Sequence, residues 1–236
     1  MSDPTGATSL NWFKVTVSLE QRTLGELVSL LEESIEGTLA SRIPKLKKNM
    51  NGEHPDYVAE LAGEITQLNE ELPNEMRYAC VLLIYGRFEH LLFDLAHSAH
   101  DDGKASRPPG IDQKANKSRD YLAACGLPEG SFGGSSWDTL FGVLRIRNYI
   151  AHNAGHIETE KNRNVADVRL ARQYIKAHSD VLSLDRNGFV RIKRGYCEQL
   201  VEHFSAVHLL ASELEKLDSS ATTKKERVPK PKNKKR

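Results

Sequence analysis

An arginine and a histidine near the end of one apolar stretch are the residues best suited to chemistry in this sequence. Arg147 and His152 lie five positions apart in the stretch 137–156, WDTLFGVLRIRNYIAHNAGH, and Asn148 directly follows the arginine. A histidine can take up or release a proton at neutral pH, since its unperturbed pKa is about 6.5. A guanidinium is a planar, permanently charged fork that fits phosphate oxygens. The trio therefore indicates proton transfer beside a phosphate group.

The spacing of the apolar residues predicts that this stretch is a helix that stops at Gly155. At about 100° per residue, the arginine falls in the middle of one continuous apolar arc. The arc consists of Leu140, Val143, Leu144, Ile150 and Ala151. Burying a charge is costly unless it is paired or placed in a wet cleft. We therefore expect Arg147 either to line a cleft or to pair with a charge on a neighbouring helix.

A second charge within an apolar arc lies in the stretch 73–97, which predicts a helix beginning at Pro73. This stretch is apolar around most of its circumference, which is typical of the central helix of a bundle. Glu89 falls among its apolar side chains, four positions after Tyr85. Because the charges of Glu89 and Arg147 are opposite, one could hold the other between two helices.

The remaining periodicity predicts an all-α fold with a small β-hairpin near residues 181–193 and a turn at 185–188. Further helices are expected at 18–36, 57–72, 113–125, 165–178 and 196–217, with a break at 44–56 around Pro44. Ser135 and Asp138 predict a capping box before the focal helix. We divide the chain into a loose lead-in at 1–18, one helical domain at 19–217 and a disordered basic tail at 218–236.

Composition places the chain among ordinary globular proteins. Of its 236 residues 39% are hydrophobic and 28% charged, and the net charge is +1. Residues 224–236 hold eight basic residues and one acidic, so the rest carries about −6. This body is not typical of a nucleic-acid binder, whereas the tail could hold RNA weakly through Lys224, Lys225, Arg227, Lys230 and Lys232. The tail could also be only a solubilising terminus, or a nuclear signal in a eukaryotic protein, but we favour attraction to nucleic acid.

Cysteine and histidine spacing gives no reason to expect a metal or a cofactor. The three cysteines are far apart and form no CxxC pair, which favours reduced thiols in the cytoplasm. His152 and His156 are spaced like metal ligands, with Glu158 or Glu160 as a further ligand, but Gly155 should end the helix between the two histidines. A zinc-protease motif would also need Glu at position 153, which is Asn153. No signal peptide or membrane-spanning run is apparent, so we expect a cytoplasmic protein without a membrane partner.

The segment Arg147-Asn148-Tyr149-Ile150-Ala151-His152 fits R-x4-H with a polar residue after the arginine. Following a central helix with Tyr85-x3-Glu89, it resembles the HEPN superfamily over roughly residues 60–215. The resemblance implies a small helical bundle. Many HEPN proteins are metal-independent endoribonucleases in toxin–antitoxin, phage-defence or RNA-processing roles. HEPN toxins paired with nucleotidyltransferase antitoxins usually carry a tyrosine where this chain has Ala154, so the resemblance does not extend to that subgroup.

The resemblance implies a role for each candidate residue. RNA supplies its own nucleophile, the 2′-OH, so cleavage requires proton transfer and stabilisation of charge on the phosphate. His152 would transfer the proton, Arg147 would hold the scissile phosphate, and Asn148 would orient one of them. Glu89 and Tyr85 would support Arg147, while Arg145 is either a second phosphate contact or a solvated residue. A homodimer would bring two such sets into one cleft, and an antitoxin or defence-system protein could be a further partner.

Simpler interpretations remain open for the same residues. Arg147 and Glu89 could form a buried structural ion pair between helices. His152 could interact only with the dipole at the end of its helix. In that case the protein would be a non-catalytic helical module that binds a nucleotide, RNA or a protein partner.

Overall fold

The computed structural model describes residues 8–51, 54–105, 107–110, 114–157 and 165–225. It is mostly helical with one small hairpin, which confirms the predicted fold class. The helices are α1 Ser9–Asn49, α2 Pro55–Thr66, α3 Leu72–Asp101, α4 Ala115–Ala124, α5 Ser135–Asn153, α6 Val165–Ala177, α7 Tyr196–Glu202 and α8 Ser205–Lys225. A π-helical turn, Gln67–Glu71, joins α2 to α3, and a 3-10 turn covers Glu129–Phe132. Strands β1 Leu182–Leu184 and β2 Val190–Ile192 pair antiparallel, with Leu182 opposite Ile192.

The described chain divides into two compact units. The first unit comprises residues 8–18, 89–133 and 205–225, and the second unit comprises 19–88 and 134–204. Helices α1 and α3 therefore contribute residues to both units. Arg147, Asn148, His152 and Tyr85 belong to the second unit, whereas Glu89 belongs to the first.

Aromatic packing positions α5 within the second unit. The fully buried ring of Phe88 in α3 lies 6.2 Å from that of Trp137, 5.9 Å from that of Phe141 and 6.4 Å from that of Phe204. Ring pairs at these separations add directional attraction to the burial of their apolar area. This cluster holds the first half of α5 against α3.

Helix α1 is longer than its sequence pattern predicted at both ends. It begins at Ser9 within the expected lead-in, where Phe13 and Val17 are buried although Trp12 is 60% exposed. It also continues through Pro44 to Asn49, although a proline inside a helix removes one hydrogen bond and costs about 3 kcal/mol. Arg42 in this part of the helix forms an ion pair of 2.8 Å with Glu64 of α2, but both side chains are exposed, and such pairs contribute little. The predicted break at 44–56 is therefore wrong as far as Asn49, where the helix ends.

Three further boundaries differ from the prediction. The expected helix 196–217 is two helices, because Phe204 donates its N–H to the Val201 carbonyl in a tighter turn. Helix α8 then runs on to Lys225, into the expected tail. The predicted capping box is wrong, since Gly134 is the N-cap of α5 and no side chain caps its first turn. Among the helices of the described residues, none combines the length and apolar character needed to cross a membrane.

Candidate functional site

Helix α5 ends one residue after its histidine through a left-handed cap. Ala154 adopts φ 48°, and the N–H of Gly155 then donates to the carbonyl of Tyr149 at 2.9 Å. This hydrogen bond gives a donor to a carbonyl that would otherwise have none at the end of the helix. The final turn of α5 therefore presents Asn148 and His152 at a defined edge of the helix.

The buried arc of α5 differs from the predicted one. Leu140, Val143 and Ile150 are buried, but Ala151 is exposed and Leu144 only half-buried. Ile146, which is fully buried, extends the arc on its other side, toward Gly142. On that side α6 packs closely, and a Cβ added at Gly142 would overlap the ring of Tyr174. Arg147 falls between Val143 and Leu140 around the helix, within the arc, but is itself only half-buried.

The half-buried guanidinium of Arg147 is held by two neighbours. Its Cζ lies 5.7 Å from the ring centroid of Tyr85, a residue that is only 1% exposed. Its Nη1 donates a hydrogen bond of 3.0 Å to Oδ1 of Asn148. A cation over an aromatic face is attracted by the electron density of the ring. The structure therefore brings Arg147, Asn148 and Tyr85 together, as a group that orients the guanidinium.

His152 lies on the exposed surface of the last turn of α5. It follows Asn148 by four residues, so the two side chains are neighbours on the helix surface. Arg147 and His152 are separated by about 140° around the axis and about 7.5 Å along it. Arg145, half-buried, precedes His152 by two turns on the same side. The exposed imidazole can exchange protons with a solvent-borne substrate, and Asn148 lies between it and the guanidinium.

Glu89 accepts a hydrogen bond in the first unit. Its Oε1 lies 3.5 Å from the backbone N–H of Ala115, the first residue of α4. A carboxylate at this position satisfies a free N–H and is favoured by the dipole of the helix. The expected support of Arg147 by Glu89 stays a prediction.

Tyr149, within the motif, is not suited to act as a base at neutral pH. Burial raises the pKa of its phenol, and the negative charge of Asp167 on α6 raises that pKa further. The phenol therefore keeps its proton and can donate a hydrogen bond but not remove a proton.

His156, the second histidine of the H-x3-H spacing, belongs to the hairpin contact. Its Nε2 lies 2.7 Å from the carbonyl oxygen of Asn187, and its ring packs edge-on against Phe189 at 4.7 Å. No group of three or more His, Cys, Asp or Glu side chains in the described part of the chain is placed to hold a metal ion. Glu158 and Glu160, the other ligands considered for such a site, lie outside the described residues.

The basic tail residues are described only in part. Lys224 and Lys225 end α8, while Arg227, Lys230 and Lys232 lie outside the described residues. Their contact with RNA stays a prediction.

One deeply buried ion pair of the second unit is absent from the sequence-based predictions. Both carboxylate oxygens of Glu32, which is 3% exposed, bind Arg77 at 2.7 and 2.6 Å. Arg77 also donates to the carbonyl of Ile192 at 3.2 Å. A signal was present, because Glu32 lies between Val28 and Ile35 on the core-facing side of α1. This pair joins α1, α3 and β2, and its role is structural.

Comparison with known proteins gives no further evidence on function. Neither a protein-family model, nor a curated protein, nor a solved structure matches this chain.

Proposed function

We propose that this protein is a metal-independent endoribonuclease of the HEPN type that acts as a homodimer. The observation that carries the proposal is the guanidinium of Arg147, held by the Tyr85 ring and by Asn148, with the exposed His152 one turn beyond Asn148 on the same helix. Ordering the arginine before substrate arrives lowers the cost of stabilising charge at a phosphate. The resemblance of the motif to HEPN ribonucleases supports the same assignment.

In the proposed reaction, the 2′-oxygen of a ribose attacks the adjacent phosphorus. The 2′-OH loses its proton to a base, the bond to the 5′-oxygen breaks, and an acid protonates that oxygen. His152 performs one of these proton transfers. Arg147 binds the non-bridging oxygens, since a guanidinium has five N–H donors and the bond to Asn148 uses one. Asn148 orients the arginine.

A homodimer would supply the second proton-transfer group. One chain offers a single Arg147 and His152 set, whereas this cleavage requires both a base and an acid. A second copy facing the first would provide both at a shared cleft. We place this activity in the cytoplasm, in a toxin or phage-defence setting where a partner protein restrains it.

The test is cleavage of bulk RNA by purified protein in the presence of EDTA. We expect the wild-type chain to cleave, and His152→Ala or Arg147→Ala to reduce the rate at least about 100-fold, the usual size of such contributions. His90→Ala and Arg22→Ala are matched controls, because both side chains are exposed on other helices. Both controls should retain the wild-type rate.

Retained cleavage in His152→Ala would remove that histidine from the mechanism. Loss of wild-type cleavage in EDTA, restored by added Mg²⁺, would contradict a metal-independent reaction. A folded wild-type dimer without cleavage would favour the non-catalytic helical module, which binds a nucleotide, RNA or a protein partner.

A further inference from the structure

Two of the three cysteines, far apart in sequence, come together in the second unit. Cys80 of α3 and Cys197 of α7 are both buried, and their thiols are hydrogen-bonded to each other. The sulfur of Cys197 also lies 3.9 Å from the carbonyl oxygen of Arg77, which precedes Cys80 by about one helical turn. Cys197 therefore packs on the turn of α3 that carries Cys80. We call Cys80 and Cys197 the thiol pair.

The two members of the thiol pair differ in acidity. The hydrogen bond with Cys197 lowers the pKa of Cys80, although burial and the negative charges of Glu198 and Glu32 oppose this change. The same hydrogen bond, together with burial, raises the pKa of Cys197. Cys80 is therefore the thiol that ionises first, and the thiolate is the form of cysteine that attacks an oxidant. Cys197 keeps its proton and places a second sulfur beside the first.

The third cysteine has a different setting. Cys125 belongs to the first unit, where it is half-buried. Burial raises the pKa of its thiol, although a hydrogen bond with Tyr121 lowers that pKa in part. Cys125 is therefore more accessible than the thiol pair but less readily ionised, which makes it an internal control.

An oxidant can reach the buried sulfurs through a local opening of the fold, and α7 is suited to open. This helix has only seven residues, too few for a helix to be stable by itself in water. It begins after Gly195, which has a φ of 95°, and ends at the tight turn that separates it from α8. Local openings of a folded chain cost less free energy than global unfolding. A small oxidant can therefore meet both sulfurs while the rest of the second unit stays folded.

We propose that the thiol pair is a site of reversible oxidation, at which hydrogen peroxide produces a disulfide between α3 and α7. The Cys80 thiolate attacks one oxygen of the peroxide, the O–O bond breaks, and the departing hydroxide takes up a proton to become water. The sulfur of Cys197 then attacks the Cys80 sulfenic acid, the S–O bond breaks, and a second water leaves. Two thiols and one peroxide thus give one disulfide and two waters. This site does not depend on the proposed ribonuclease activity.

The experiment maps the disulfide in the full-length protein. The folded chain is treated with hydrogen peroxide, the remaining thiols are alkylated in guanidinium, and tryptic peptides are identified by mass spectrometry. We expect the free thiols to fall from three to one. The mass before alkylation should fall by about 2 Da, the two hydrogens lost on oxidation. A cross-linked peptide should contain Cys80 and Cys197 and separate on reduction with dithiothreitol.

Variants distinguish the two sulfurs. Cys125→Ala should still form the disulfide. Cys197→Ser keeps a hydrogen-bond donor beside Cys80 but cannot form the disulfide. Oxidation of Cys80 should therefore stop at the sulfenic acid, which dimedone traps. Circular dichroism verifies that each variant is folded.

A urea-unfolded chain treated in the same way is the control for geometry. Without the fold, disulfides that include Cys125 should form as well, whereas the folded chain should join only Cys80 to Cys197. Four results would overturn the proposal: three free thiols after treatment of the folded chain, separate over-oxidation of Cys80 and Cys197, the same mixture of disulfides with and without urea, or loss of the disulfide in Cys125→Ala. The first three results come from the wild-type chain and do not depend on the stability of any variant.

Discussion

Gly155 shows how one residue joins the candidate site to the rest of the second unit. Its φ of 83° lies in the left-handed region, and the residue is buried against Tyr78. Val190 links the two residues: its N–H donates to the Gly155 carbonyl at 3.0 Å, and its carbonyl accepts a hydrogen bond from the Tyr78 hydroxyl. The end of α5 is thus fixed by contacts that only glycine permits.

We expect Gly155→Ala to destabilise the fold by about 2 to 4 kcal/mol. A Cβ here would overlap the Tyr78 hydroxyl, and the backbone would also be strained. Gly188→Ala is the matched control, because Gly188 has the same φ of 83° but its added Cβ would meet His156 only at 3.5 Å. Urea unfolding measures both variants, and equal losses would contradict the steric argument.

Tyr174 makes stability sensitive to alkaline pH. Burial raises its pKa from 10.0 to about 12, although its hydrogen bond with Tyr196, 3.1 Å long, lowers that pKa in part. Between these two values the unfolded chain loses the phenolic proton while the folded chain keeps it. The contribution of Tyr174 to the free energy of unfolding is therefore fully present below pH 10 and declines as the pH rises toward 12.

We expect the wild-type free energy of unfolding to fall by about 2 kcal/mol more than that of Tyr174→Phe between pH 9 and pH 12. Each pKa unit corresponds to about 1.4 kcal/mol, and the variant lacks the titrating group. Urea unfolding at fixed ionic strength gives the comparison. Tyr57→Phe, at a residue 41% exposed, should follow the wild-type curve. Parallel curves for wild type and Tyr174→Phe would refute the argument.

At the scale of elements, the hairpin depends on α3. Two paired strands of three residues have only marginal stability by themselves. The backbone groups on the edge of β2 that faces away from β1 therefore need other hydrogen-bond partners. Asn74 of α3, 5% exposed, donates to the carbonyl of Val190 at 3.2 Å and accepts from the N–H of Ile192 at 2.8 Å. The amide side chain thus occupies the place of a third strand.

We expect Asn74→Ala to lower the free energy of unfolding by about 2 to 3 kcal/mol. The substitution leaves the buried N–H of Ile192 without its acceptor, and an unsatisfied buried group of this kind is costly. Asn11→Ala, on the exposed side of α1, serves as the control and should stay within about 0.5 kcal/mol. Thermal unfolding followed by circular dichroism separates the two. A loss no larger than that of the control would mean that the hairpin does not need this bond.

At the scale of the whole molecule, charge is divided unevenly along the chain. Residues 224–236 carry about +7, whereas the rest carries about −6. Electrostatic attraction to RNA should therefore depend mainly on the tail.

We expect truncation after Thr223 to weaken RNA binding at least tenfold at low salt and to flatten its salt dependence. The cause is the loss of basic residues that displace counterions from the phosphates. A full-length chain with Gln in place of Lys224, Lys225, Arg227, Lys230 and Lys232 keeps the tail's length and should behave similarly. Fluorescence anisotropy over a salt series measures all three chains. If truncation did not change the slope of RNA affinity against salt concentration, the tail would not bind RNA and would act only as a solubilising arm.

The sequence by itself determined the helical class, the hairpin and most helix positions, because these follow from apolar periodicity and local turn chemistry. The helix α5 was predicted to stop at Gly155, whereas it ends at Asn153 and Ala154 adopts the left-handed cap before the glycine. The candidate residues Arg147, Asn148 and His152 could likewise be named from their types and spacing. Their assignment to catalysis remains a proposal, since the spacing of residues in one chain determines neither how a second copy would bind nor which substrate is cleaved.

Only the tertiary structure decided which charges are buried together. Glu32 and Arg77 are distant in sequence, and their pairing depends on how α1 and α3 pack. Likewise, the contact of Tyr174 of α6 with Gly142 decides that this side of α5 is buried. Periodicity describes one helix at a time, whereas the partner that covers each face is chosen by contacts between distant segments.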